Sequence, residues 1–261
     1  MIVFNGKSAD EISGLYVSPF SLRTRCAEEF EVITVPNKAD PIISRKGSYL
    51  PVTVQVSMDL YDYSKLDDVI SWLTGSGILV DDRDQEKYRT AQVLDEIIIT
   101  PFGDDDDKMC NISIPFLCSP FLYGINSKSY TFTDSNLHYI SVPGNFWTEP
   151  VITFKLKEAS TTDTDVQFWI TNQNPFTVRV SSEASAYEIT IDCEKKNVYY
   201  YNSNGRKIDI LESVRNASRF PYILNTYLGD KINNTSITCT TPSESSFKVS
   251  YYKIEYQARW R

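Results

Sequence analysis

Apolar and polar positions alternate most regularly over residues 52–60. There Val52, Val54, Val56, Met58 and Leu60 are interleaved with Thr53, Gln55, Ser57 and Asp59. Period two with one apolar face predicts a half-buried antiparallel strand. The period then changes. Leu66, Val69, Ile70 and Leu73 recur at helical spacing with Trp72 at the edge of the stripe, which predicts one short helix over residues 64–74. Ser64 is the expected N-cap, its hydroxyl accepting from the Asp67 amide, and Asp67 and Asp68 fall in the first turn, where the helix dipole favours carboxylates. Thr74-Gly-Ser-Gly77 ends the helix, because glycine adopts the left-handed cap without strain. So short a helix cannot bury its stripe alone and is expected to lie on a sheet, with the preceding strand the nearest candidate.

In the rest of the first half, residues 2–4, 15–17, 30–35, 78–80, 88–93, 94–99 and 112–117 read as strands, and Asn5-Gly6 as a tight turn. The stretch 36–47 is polar, basic at Arg45-Lys46, and reads as a hairpin tip or exposed arm. Around 124–135 the texture turns polar and short-sided (GINSKSYTFTDS), which places a boundary between domains 1–128 and 129–261. Beyond it, segments of β character follow at roughly ten-residue spacing: 130–132, 138–142, 151–156, 166–170, 176–180, 187–191, 198–201, 207–211, 236–239 and 247–256. Tyr187, Ile189, Ile191 and Cys193 alternate, and Glu194-Lys-Lys-Asn197 turns the chain into Val198–Tyr201, a hairpin. The fold class is mainly β: two β domains, with one short helix in the N-terminal one.

Composition supports this. Of the 261 residues 41% are hydrophobic, enough for real cores, and 13% are aromatic with tyrosine foremost, which suits β structure. The net charge of −8 is unevenly placed: residues 1–128 hold 12 Lys+Arg against 20 Asp+Glu, and the remainder 14 against 14. Such a surface does not grip nucleic acid, which needs basic residues to displace counterions. No apolar run approaches the ~20 residues that span a bilayer. The N-terminus has no basic region followed by an apolar core, so assembly in a cytoplasm is expected. Five cysteines without CxxC spacing read as small buried hydrophobes. The glycosylation-type triplets at Asn111, Asn216 and Asn233/Asn234 read as polar turns.

The sequence offers little chemistry. His138 is the single histidine, and no HExxH, GxSxG or P-loop accompanies it. Asp104, Asp105, Asp106 and Asp107 lack the spacing of a calcium loop and read as a solvated tip. A catalytic carboxylate pair cannot be chosen among 34 acids without geometry. The expectation is no catalytic residue, no metal and no cofactor. Trp147 and Trp169 are the candidates for a sugar-stacking platform, should the second domain be a carbohydrate-binding module.

The order of features resembles the distal tail protein (Dit) family of siphophages of Gram-positive bacteria. The residues that carry the resemblance are Phe4-Asn-Gly6, Arg45-Lys-Gly47 before the alternating strand, Ile70-x-Trp72-Leu73, and Leu79 to Tyr88. In the second half they are Glu149-Pro-Val-Ile152, Tyr187-Glu-Ile-Thr-Ile-Asp192 leading into Val198-Tyr, Phe220-Pro221 and Ala258-Arg-Trp260. Asn225-Thr-Tyr-Leu-Gly229 departs from the family in being less glycine-rich. The resemblance implies a non-enzymatic tail-tip (baseplate) hub. Its N-terminal domain closes into a homo-hexameric ring between the tail tube protein and the tail-associated hub protein. Its C-terminal sandwich, galectin-like or carbohydrate-module-like, sits outside and carries baseplate or receptor-binding components. The final strand is open to either domain. DNA passes through the ring without specific binding, and no membrane is involved. On this reading Pro36, Asn37, Lys38, Arg45, Lys46 and Gly47 form the arm that reaches the neighbouring subunit, and Asp104–Asp107 face the channel.

Overall fold

The computed structural model describes every residue except Met1, Asn37, 104–108, Asn172, 216–218, Asn225, Gly229, Asp230, Asn234 and 243–246. The chain divides into two compact units, Met1–Ile125 together with Arg261, and Asn126–Trp260.

The first unit is built on one antiparallel sheet. Its opening strands are β1 (Ile2–Phe4), β2 (Lys7–Ser8) and β3 (Leu15–Val17). Asn5 and Gly6 both take positive φ in the turn between β1 and β2, as the sequence predicts. Next comes a two-stranded ribbon, β4 (Glu28–Ile33) and β5 (Ile42–Tyr49), which pairs with no other strand among the described residues. The alternating stretch is β6 (Val52–Leu60), and all five of its apolar residues are buried. The helix α1 (Leu66–Leu73) precedes β7 (Ser76–Asp81), β8 (Lys87–Val93), β9 (Ile98–Phe102), β10 (Met109–Cys118) and β11 (Leu122–Gly124). The strand order is β2-β1-β7-β8-β10-β6-β3, with β9 also on β10 and β11 on β8. Pro115 is tolerated inside β10 at a gap in the ladder. On the flank opposite β6, β9 pairs with residues 109–113 and β8 with 116–118, so Pro115 has no strand beside it there.

Three expectations for this half are corrected. The helix has no side-chain cap, from Ser64 or otherwise: its N-cap position is Lys65. Asp62 caps instead the 3₁₀ turn (Tyr63–Lys65) that precedes it, its carboxylate accepting from the Ser64 amide at 3.1 Å and the Ser64 hydroxyl at 2.6 Å. Trp72 is in the core rather than at the stripe's edge, with Nε1 donating to the Phe4 carbonyl at 3.0 Å, while Leu66 and Ile70 are only half-buried. A large ring with one polar atom is buried only when that atom finds a partner, and here the partner lies on β1. The run 94–99 is not a strand throughout. Asp95-Glu96 interrupts it and pairing begins at Ile98.

The irregular stretch between β3 and the ribbon is held from below. Arg89 of β8 is fully buried, and its guanidinium donates to the carbonyls of Leu22 (2.9 Å), Thr24 (2.6 Å) and Ser119. Burial lowers the Arg89 pKa and raises the nearby Cys118 thiol to about 11.

The second unit is a two-sheet sandwich. One sheet runs β12 (Lys128–Phe132), β24 (Val249–Tyr256), β14 (Val151–Leu156), β17 (Glu188–Asp192), β18 (Asn197–Tyr201) and β19 (Lys207–Asp209). The other runs β13 (His138–Ile140), β23 (Thr235–Thr240), β15 (Thr164–Ile170), β16 (Phe176–Val180) and β20 (Val214–Arg215). A separate hairpin, β21 (Thr226–Leu228) and β22 (Lys231–Asn233), was not read from the sequence. The inward faces share one core in which Phe168 packs edge-on against both Phe154 and Tyr252. Each such ring, fully buried, contributes about 1.5–3 kcal/mol. The predicted hairpin is present as β17–β18, with Lys196 at φ 51° in its turn. The terminal segments are shorter than expected, 138–140, 207–209 and 249–256.

Arg89→Met keeps the volume but leaves the buried Leu22 carbonyl and the part-buried carbonyls of Thr24 and Ser119 without this donor. It is expected to lower the stability of the first unit by about 3 kcal/mol or more in urea unfolding. Lysine cannot reproduce the fork and is expected to rescue little. Stability equal to the parent's in Arg89→Met would contradict the clamp.

Candidate functional site

The feature that sets the first unit apart is the β4–β5 ribbon. The pairs Val32–Ile43 and Phe30–Arg45 lie directly opposite, so Phe30, Val32, Ile43 and Arg45 share one face. Glu31, Ile33, Ile42 and Ser44 share the other. Both faces are open: Phe30 is 57% and Ile43 62% exposed, and Val32, Ile33 and Ile42 are exposed as well. A two-stranded ribbon alone in water is marginally stable, and contiguous exposed apolar side chains mark an interaction surface.

Polar contacts shape the ribbon without covering it. Lys46 Nζ lies 2.7 Å and the Ser48 hydroxyl 2.8 Å from the Glu29 carboxylate. Lys46 and Ser48 hold the Glu29 pKa below the usual carboxylate range. Arg45 and Arg261 reach Glu28 at 3.9 and 3.8 Å, and the Arg261 guanidinium also sits over the Tyr49 ring. Gly47 has φ +75° where the register slips between Glu28 and Phe30, so it is the bulge that bends the ribbon.

The sequence-predicted arm residues therefore divide. Arg45, Lys46 and Gly47 lie on β5 itself, so the arm is longer than a tip and begins at Glu28. Pro36 and Lys38 are exposed at the tip, where the Lys38 amide donates to the Val35 carbonyl at 3.2 Å. Asn37 and Asp104–Asp107 lie outside the described residues. The apolar members Phe30, Val32 and Ile43 were missed as site residues. Their signal, alternation within 30–35, is that of an ordinary half-buried strand.

A second exposed cluster lies on the large sheet of the first unit, at β3, the end of β6 and β9. Tyr16 meets Tyr61 edge-on at 5.3 Å, and Tyr61 meets Phe102 at 6.1 Å. Tyr16 is 64% exposed and lies opposite Asp59, whose carboxylate accepts from Asn111 Nδ2 at 2.8 Å.

In the second unit the candidate tryptophans differ. Trp147 is half-buried, with Arg219 and Arg259 over its ring and Tyr222 at its edge, and packs as structure. Trp169 is 44% exposed on the outward face of β15, opposite Thr238 and on the same face as Gln167. His138 stacks on Phe132 at 4.1 Å and bonds Asp134 at 2.7 Å. The Asn136 amide and His138 keep the Asp134 pKa low. All five cysteines are buried thiols. Among the described residues no group of three or more His, Cys, Asp or Glu is placed to hold a metal. No described helix is long and apolar enough to cross a membrane.

No family model and no curated sequence matches the chain. Its fold matches a solved structure along the whole length. That structure is the SPP1 Dit (gp 19.1) protein, whose crystal structure is presented as a paradigm of the hub adsorption apparatus in Gram-positive infecting phages. The TM-score is 0.70 at 11% sequence identity, over 100% of this chain and 98% of that one. The chain thus has the Dit fold in both of its units.

Proposed function

We propose that this chain is a structural hub protein of a siphophage tail tip, or of a tail derived from a prophage, and not an enzyme. The observation that carries the reading is the end-to-end correspondence with the Dit fold, together with the resemblance of the sequence to that family. Six copies close through their first units into a ring between the tail tube protein and the tail-associated hub protein. The second unit offers the attachment for baseplate or receptor-binding components. The protein assembles in the host cytoplasm and works at the tail tip.

A ring needs a heterologous interface, in which two unlike patches of one chain meet around the closure. The ribbon supplies one of them, since each of its faces carries exposed apolar side chains, Phe30, Val32 and Ile43 on one and Ile33 and Ile42 on the other. The acidic excess of residues 1–128 suits the passage of DNA, because a lumen of like charge repels phosphates and keeps the strand from sticking.

A second reading, carbohydrate binding by the second unit, is favoured by Trp169. Its open indole beside Gln167 and Thr238 is the arrangement that stacks on a sugar ring and bonds its hydroxyls.

Two outcomes check these readings. Val32→Ser combined with Ile43→Ser is expected to leave urea stability within about 0.5 kcal/mol of the parent, because the side chains are exposed. The same pair is expected to abolish rings in light scattering, and rings undiminished by it would overturn closure through the ribbon. On a glycan array, binding lost on Trp169→Ala would support the sugar reading, and a blank array for the parent would end it.

A further inference from the structure

Ring closure leaves open what the ribbon docks onto. We infer that it docks on a second copy of this chain, at the aromatic cluster of Tyr16, Tyr61 and Phe102; this rests on the ring reading above. Three observations support the match. Both surfaces belong to the first unit and both are exposed in the single chain, so neither covers the other within one molecule. They are also unlike: one is a narrow aliphatic strip with a single phenyl ring, the other a shelf of edge-on rings. Unlike partners are what a closed, repeated contact requires, whereas two identical surfaces would pair into a twofold dimer and stop.

The third observation is charge. Arg45 stands on the apolar ribbon face with 77% of its side chain exposed, and its one carboxylate partner among the described residues, Glu28, is distant at 3.9 Å. Two acids flank the aromatic shelf. Asp59 lies opposite Tyr16, and Asp62 directly follows Tyr61. Each is already engaged on one oxygen, Asp59 by Asn111 and Asp62 by the Ser64 amide and hydroxyl, and among the described residues each keeps its second oxygen for a donor. A guanidinium arriving with the ribbon meets these carboxylates while Phe30, Val32 and Ile43 lie across the rings. The apolar contact carries the affinity and the charge pair fixes the register.

The test is photo-crosslinking in the full chain. Val32→p-benzoylphenylalanine protein is mixed with isotope-labelled parent at the highest soluble concentration and irradiated, and the products are mapped by mass spectrometry. Interchain products within residues 14–17, 59–63 or 98–102 are expected. Interchain products that map elsewhere on the first unit overturn the docking site and leave the ring standing. An absence of interchain products from folded protein overturns both. Mixed variants provide a second readout. Val32→Asp chains and Tyr61→Asp chains each fail to close alone, and together they form pairs and nothing larger, because each keeps one sound surface. A Tyr61→Asp chain that still forms rings by itself overturns the site.

Discussion

The first unit depends on a positive charge with nowhere to go but the main chain. Arg89 is buried under three carbonyls, from Leu22, Thr24 and Ser119, and among the described residues it has no carboxylate to neutralise it. Burying a charge is costly unless every donor is used. The planar fork of a guanidinium can use them in three directions at once. The stretch that leads into the ribbon has almost no regular structure of its own. Its hold on the sheet comes from Arg89, from the buried Leu22 and Cys26, and from the Ser18 amide donating to the Ser57 carbonyl at 2.8 Å. An apolar residue at position 89 would leave those carbonyls dry and the root of the ribbon loose.

From that root the rest follows in physical order. A fixed root lets a two-stranded ribbon stand out from the sheet instead of collapsing onto it. Standing out leaves Phe30, Val32 and Ile43 in water, which a lone monomer does not need and an assembly surface does. The sandwich of the second unit packs rings such as Phe154, Phe168 and Tyr252 inside and carries ion pairs such as Arg179–Asp165 outside, and it too leaves Tyr139, Trp169 and Tyr201 exposed.

Much of this was legible in the residues. The alternation of 52–60, the helical spacing that follows and the β17–β18 hairpin are local patterns, and local patterns survive folding. What escaped was non-local. Arg89 sits in a run, Lys87 to Val93, where a charged residue reads as outward; only the carbonyls of a segment more than sixty residues away make the inward position tolerable. Trp72 read as marginal because its partner, the Phe4 carbonyl, is equally remote. The apolar alternation of the ribbon read as half-buried, since a pattern says that a face will be covered and not by which chain. The β21–β22 hairpin was missed although Gly229-Asp230 stands between its strands in the sequence, because strands of three residues are too short to show an alternation.

Negative-stain electron microscopy of the purified protein tests the central claim most directly. The account expects closed six-fold rings with a central hole, their outer rim studded with one further density per subunit. Particles that remain single chains at every concentration, or that pair by a twofold axis, would contradict it.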